Sequence, residues 1–181
     1  MTDSEFVTGL LDNIYRRQFI YLKSVNDFSP TSMSIGGHFC VKDDAVSPKC
    51  YDYMCTYVNY RMPYVPAEYL MRCINQLGFG LVGLQVRSRR KPFRGIGIKR
   101  YRVSLRSFLI TKYQSSHHRL IPREKEFEIS AQITRTRLSS RGLCIAQMEF
   151  KGAVEGKVTF GWKMQEADQD LSFGQVREDA K

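Results

Sequence analysis

The densest hydrophobic pattern in the chain lies over residues 66–86, PAEYLMRCINQLGFGLVGLQV. Leu70, Cys73, Ile74 and Leu77 recur at helical spacing, and Pro66 sits where a first helical turn tolerates proline. Glu68, Arg72, Asn75 and Gln76 fall together on the opposite side. Gly78, Gly80 and Gly83 follow, placed for close packing rather than for a surface helix. The pattern predicts one central helix of about three to five turns, mostly buried by its surroundings. Arg72 interrupts the run, which is too amphipathic for a membrane span.

The flanks read differently. Over 5–19, Phe6, Leu10, Ile14 and Tyr15 stand near helical spacing, with Asp3 or Ser4 as N-cap, which predicts a short amphipathic helix. IYLKSV (20–25) alternates as a strand, NDFSP turns, and TSMSIGGHFCV (31–41) reads as its hairpin partner. Residues 42–65 are irregular, and YDYMCTYVNYRMPYVP carries five tyrosines in sixteen residues. So dense a set supplies a flat apolar wall with hydroxyls, either as core packing or as a pocket mouth.

After the helix, YRVSLRSFLI (101–110) alternates Tyr101, Val103 and Leu105 with Arg102, Ser104 and Arg106, a strand pattern. QSSHHRLIPREK is a polar connection. EFEISAQIT (126–134) puts Phe127, Ile129, Ala131 and Ile133 on one face. RGLCIAQMEFK (141–151) and GKVTFGWKM (156–164) are two further strands, the last with Val158, Phe160, Trp162 and Met164 on a shared face. The strands after the helix are expected to pair as successive neighbours. This order defines an α+β architecture, a strongly curved antiparallel sheet around one long helix. One helix cannot cover both faces and the edges of such a sheet, so dimerisation is expected.

Composition narrows the chemistry. The 181 residues, 43% hydrophobic and 25% charged, are ordinary for a soluble globular protein. The start MTDSEFVTGLLDNIYRRQF lacks a basic segment followed by an apolar block, so a cytoplasmic location is expected. Cys40, Cys50, Cys55, Cys73 and Cys144 form no C-x-x-C pair and read as reduced, mostly buried thiols. The three histidines do not stand at zinc spacings, so no metal site is expected. The net charge of +10 is unevenly spread: from Tyr69 to Arg123 there are 13 Lys or Arg and no Asp or Glu. The segment RSRRKPFRGIGIKRYRVSLR (87–106), with Arg90 and Lys91, calls for an anionic partner or is a solvated basic face.

The element order is the hot-dog arrangement, and two motifs sharpen it. CINQLGF (73–79) is similar to the C-F-N-Q-L stretch of the FcoT-like acyl-thioester enzymes, the hot-dog family of long-chain acyl-CoA thioesterases. SSHHRLIPREKEFEISAQI (115–133) resembles that family's S-S-R-F-R-K-P-L-x-P-x-K-F-S-A-R segment, in the same order and at similar spacing. The resemblance implies a single hot-dog domain over 1–164; the tail over 165–181 is polar and acidic without a periodic pattern and is expected to be frayed. It implies a homodimer or higher assembly, with acyl-thioester sites between a helix of one subunit and strands of the next. It also implies polar site residues in place of a nucleophile triad. Asn75 corresponds to the family's helix asparagine and Tyr15 to its N-terminal tyrosine; Tyr57, Tyr60 or Tyr64 offers the loop tyrosine, with Tyr60 or Tyr57 fitting best. One feature departs: where the family carries G-H-F-N before the helix, Tyr64 replaces the histidine and Pro66 the asparagine.

The chemistry of such a site constrains the remaining roles. A thioester carbonyl needs donors, from the helix N-terminus near Ala67 and Glu68 or from Asn75, which otherwise reads as a surface polar residue. Tyrosine hydroxyls donate well but are poor bases at a reference pKa of ~10. Glu68 is the helix's single carboxylate and the candidate base, or else a first-turn residue that suits the helix dipole. His38 in GGHF lies well before the helix and reads as structural. Ser116, His117 and Arg119 fall in the connection that matches the second motif, at a pocket rim or a phosphate contact.

Three functions fit. The first is hydrolysis of a fatty or polyketide acyl group from coenzyme A or acyl carrier protein, with coenzyme A or phosphopantetheine as part of the substrate and no separate cofactor. The second keeps the fold but adds glycine or water to an enoyl thioester, or dehydrates one. The third is a non-enzymatic acyl- or nucleic-acid-binding module; nucleic acid is the weaker expectation, because Arg102 and Arg106 alternate with core positions as on a strand.

Overall fold

A computed structural model describes residues 1–42, 64–94, 96–116, 119–138 and 143–163. Thr2 caps helix α1 (Asp3–Leu11) through a reciprocal capping box with Glu5, so the cap lies one residue before the expected pair. The helix stops at Leu11 instead of running to 19. The Asn13 side chain donates to the Gly9 carbonyl at its C-terminal end, and a single 3-10 turn follows at Arg17–Phe19.

Strands β1 (Leu22–Ser29) and β2 (Ser34–Cys40) form the expected hairpin, with β1 running on through the NDFS segment that had read as the turn. The central helix α2 (Ala67–Ser88) has 22 residues, about six turns and longer than the pattern suggested. Its end is set by Arg89, whose left-handed backbone (φ 54°) turns its N–H onto the Val86 carbonyl.

The segment read as a strand over 101–110 is largely helical: α3 (Ile98–Ser104), a 3-10 turn (Leu105–Ser107), and only then β3 (Leu109–Ser116). Tyr101 and Leu105 are both buried, and their spacing of four serves a helix face as well as it fits alternation. Ser104, which alternation assigned to solvent, is buried with its hydroxyl donating to the Arg100 carbonyl at 2.6 Å. The Tyr101 hydroxyl donates to the Phe79 carbonyl at 2.8 Å and ties α3 across α2.

Strands β4 (Glu126–Leu138), β5 (Leu143–Gly152) and β6 (Glu155–Lys163) complete one antiparallel sheet in the order β1-β2-β4-β5-β6-β3. The later strands therefore do not all pair in succession. β3 crosses to the far edge beside β6, and β4 pairs with β2. The core lies between the concave face and α2. Phe127, Ile129, Ala131 and Ile133 of β4 face it, as do Val158, Phe160 and Trp162 of β6. Met164 and the tail lie outside the described residues.

The glycines act as the pattern predicted. A Cβ on Gly80 would stand 2.8 Å from Val7, and one on Gly83 would stand 2.7 Å from Leu10, so α1 seats directly on the α2 backbone. Gly37 in GGHF does the same for the sheet, since a Cβ there would meet Leu77 at 2.8 Å. His38 next to it faces across the strand pair, with Nδ1 3.2 Å from a Glu128 carboxylate oxygen.

Candidate active site

The motif pair Asn75–Gln76 divides in two. Gln76 had been placed on the exposed stripe, yet it is fully buried. Its Oε1 accepts the backbone N–H groups of Tyr21 (2.9 Å) and Leu22 (3.1 Å), and its Nε2 donates to the Phe19 carbonyl (2.6 Å). One amide thus satisfies three backbone groups of the 19–22 segment and fixes that segment against α2. Asn75, one residue earlier, is half-buried.

What Gln76 holds in place is an aromatic surround for Arg72. The guanidinium carbon lies 5.5 Å from the Phe19 ring centroid and 5.6 Å from that of Tyr69, which in turn packs 5.6 Å from Tyr21. Arg72 is half-buried and has no carboxylate partner among the described residues. Tyr15 stands on the same side, its ring 6.2 Å from Phe79. Burial pushes the Tyr15 hydroxyl up to about 12, with the nearby Arg72 charge acting against it. Tyr21 is raised further for the same reason, again opposed by Arg72. Arg72 approaches the Tyr21 hydroxyl without reaching hydrogen-bond geometry, so this buried hydroxyl has no partner. At neutral pH both tyrosines are therefore protonated donors beside a cation. Burial also drives the Cys73 thiol well up, which makes it an inert core residue.

Glu68, Arg72 and Asn75 share one helix face, at spacings of four and three residues. Glu68 is exposed in the first turn, about 10 Å along the axis from Asn75. Tyr64 is exposed just ahead of the helix and bridges Pro122, while its carbonyl accepts from Arg123 Nε at 3.4 Å. The second motif's connection therefore does border the helix entrance. Ser116 ends β3 on the surface, 3.5 Å from Glu155, and Arg119 is exposed. Tyr57, Tyr60 and His117 lie outside the described residues.

Arg90 and Lys91 occupy a separate place. With Arg89, Arg94, Pro30, Thr31 and Met33 they line an open groove of about 780 Å³. Arg90 Nη1 donates to the Thr31 hydroxyl at 2.7 Å. The groove is at the opposite end of α2 from Glu68, about 30 Å along the axis. A second, smaller cavity of about 150 Å³ is lined by Arg17, Lys23, Lys42, Cys40 and Tyr21 among others.

Sequence reasoning did not single out Arg72, Tyr21 or Phe19 as candidates, and it misplaced Gln76. The spacing of Arg72 between Glu68 and Asn75 was the available signal. For Tyr21 the alternating strand pattern gave none. Arg102 and Arg106 do not lie on a strand face as the alternation implied. Both belong to the helical segment, where Arg102 is exposed. Among the described residues no cluster of His, Cys, Asp or Glu could hold a metal ion, and no helix is long and apolar enough to cross a membrane.

The six-stranded curved sheet around a long central helix is the hot-dog fold. The chain superposes on Cj0977 from Campylobacter jejuni, described as a sigma28-regulated virulence protein, with a TM-score of 0.52 and 6% identity over 91% of this chain and 93% of that one. It superposes on thioesterase superfamily member 2 from zebrafish with a TM-score of 0.51 and 8% identity over 87% and 94%. At these identities the likeness is one of fold. No protein-family model and no curated protein sequence matches the chain.

Proposed function

We propose that the protein is an acyl-thioester enzyme that hydrolyses a fatty or polyketide acyl group from coenzyme A or an acyl carrier protein. What supports this reading is a hot-dog fold in which Arg72 and Asn75 lie on the partly open face of the first half of α2, with Tyr15 close to Arg72. In the proposed mechanism the Asn75 amide and the Tyr15 hydroxyl donate to the thioester carbonyl oxygen. That oxygen gains negative charge as the carbonyl carbon becomes tetrahedral, and donors held beforehand stabilise it. Glu68 takes the proton of the attacking water from the exposed side through a bridging water, and the thiolate released as the tetrahedral centre collapses takes that proton up to leave as the thiol. The product is a free carboxylate plus coenzyme A or phosphopantetheine thiol.

The basic groove of Arg89, Arg90, Lys91 and Arg94 is the proposed contact for the phosphates of the carrier group. At about 30 Å from Glu68 within one protomer, it would serve a site completed by a second copy. A homodimer is part of this proposal, and it is supported by the outer sides of edge strands β1 and β3, which pair with no further strand among the described residues.

The test is mass spectrometry of the protein with saturated and 2-enoyl thioesters, on coenzyme A and on carrier protein, with and without glycine. Thiol released from saturated chains and lost in Asn75→Ala is the expected result. A mass gain on enoyl thioesters without thiol release would replace hydrolysis by addition. No change in any mixture, with the fold intact, would reject both.

A further inference from the structure

The hydroxyl of Tyr21 is a structural anomaly. Tyr21 is 1% exposed and its hydroxyl has no hydrogen-bond partner. A buried donor left unmade is costly, and such groups are rare in folded proteins without a reason. Arg72 beside it presents a second unmet demand, a half-buried cation with no carboxylate partner among the described residues. Its guanidinium lies over the Phe19 and Tyr69 rings and close to the Tyr21 hydroxyl, and no described carboxylate takes up its N–H groups. Tyr15 adds a third donor on the same side. Three donors gather here, and the described side chains around them supply no acceptor carboxylate.

We propose that Arg72, with the hydroxyls of Tyr21 and Tyr15, forms a carboxylate-binding site on the first half of α2. A carboxylate matches the planar, forked edge of a guanidinium with two parallel hydrogen bonds. Its remaining lone pairs take the Tyr21 and Tyr15 hydroxyls, both of which stay protonated well above neutral pH because they are buried. Gln76 is the positioning residue, since it anchors the backbone on either side of Phe19 and Tyr21. In an acyl-thioester enzyme, on which reading this inference rests for its biological ligand, a carboxylate has two sources. It is the acid released by hydrolysis, whose carboxyl replaces the thioester carbonyl at Tyr15, or a second carboxyl at the far end of a dicarboxylic acyl chain, held by Arg72 and Tyr21 while Tyr15 stays on the thioester carbonyl.

The test begins with binding alone, so that it does not depend on turnover. Calorimetric titration of the full chain with hexanoate and with hexanamide compares a carboxylate with its neutral isostere. Hexanoate is expected to bind roughly tenfold or more tightly, a preference carried by charge-assisted hydrogen bonds. Arg72→Gln should abolish the preference. Arg72→Lys should restore only part of it, because an ammonium lacks the fork. Tyr21→Phe keeps the ring and should still weaken hexanoate several-fold without affecting hexanamide, which a purely structural tyrosine would not do. Equal binding of acid and amide, an unchanged preference in Arg72→Gln, or no hexanoate binding at all would overturn the proposal. The source is read from adipoyl- and hexanoyl-coenzyme A. A lower KM for adipoyl that Arg72→Gln removes assigns the distal carboxyl, and equal KM values with hexanoate inhibition assign the product. Thiol release without carboxylate preference would leave the thioesterase standing and remove this site. Carboxylate preference without thiol release would do the reverse.

Discussion

The two halves of α2 differ in what they touch. From Gln76 to Val86 every residue is buried, with Gly80 and Gly83 pressed against α1 and Phe79 bonded through its carbonyl to Tyr101. From Ala67 to Asn75 the helix is buried on one side only, and Glu68, Met71, Arg72 and Asn75 remain open or half-open. The second half is wrapped on all sides by α1, α3 and the sheet and answers to packing. The first half keeps a polar edge with no ion pair among the described residues. A helix can hold reactive groups on one half when the other half anchors it, because the anchored half supplies the rigidity that positioning requires.

The contrast predicts a graded series of effects. Gln76→Ala, at the junction, strands two amides and a carbonyl at 1–3 kcal/mol each, a loss on the order of 3 kcal/mol or more seen as a large fall in Tm. A small loss would mean that water takes over the role of Gln76 and that the junction is looser than described.

Gly83→Ala follows. Its Cβ would crowd Leu10 Cδ2 at 2.7 Å and Tyr101 at 3.2 Å, for about 1–3 kcal/mol in chemical denaturation. An unaffected midpoint would show that Leu10 swings away freely.

Alkaline titration reports on the buried tyrosines. Unfolded Tyr15 ionises near its ordinary value of 10.0, whereas the folded chain keeps the proton to about 12. The unfolded state therefore holds fewer protons in that window, and stability falls as pH rises from about 10 to 12 while staying flat below it. Cys144, raised from 9.0 to about 12, starts the decline one unit earlier. Tyr15→Phe should shallow the slope above pH 10, measured by denaturation at stepped pH; an unchanged slope would place Tyr15 in water.

Tyr101→Phe removes one hydrogen bond and keeps the ring, so about 1 kcal/mol is expected. Asn75→Ala, on the open half, should leave stability within about 0.5 kcal/mol and remove thiol release. A large stability loss there would move Asn75 from chemistry to architecture.

Local patterning had already declared the helix, its glycine contacts, the first hairpin and the alternating faces of β4 and β6, because each is a periodic signal read within a few residues. The 101–107 segment misled because a spacing of four satisfies both alternation and a helix face, and only the tether from Tyr101 to Phe79 decided between them. β3 was hidden in the same way: LITKYQSS lies at a sheet edge with mixed exposure, and an edge strand has no buried face to enforce alternation.

By itself, the chain order of apolar runs and glycines determined the fold class, and the family resemblance pointed to Asn75 in CINQLGF and to Tyr15 near the N-terminus. Tertiary structure alone decided that Gln76 is internal, that Tyr21 stands unpartnered beside Arg72, and that β3 closes the far edge of the sheet. The physical reason is range. Periodicity records which face of an element is covered, whereas the partner of a polar atom depends on segments some 55 residues away, such as those that Gln76 and Tyr21 bring together.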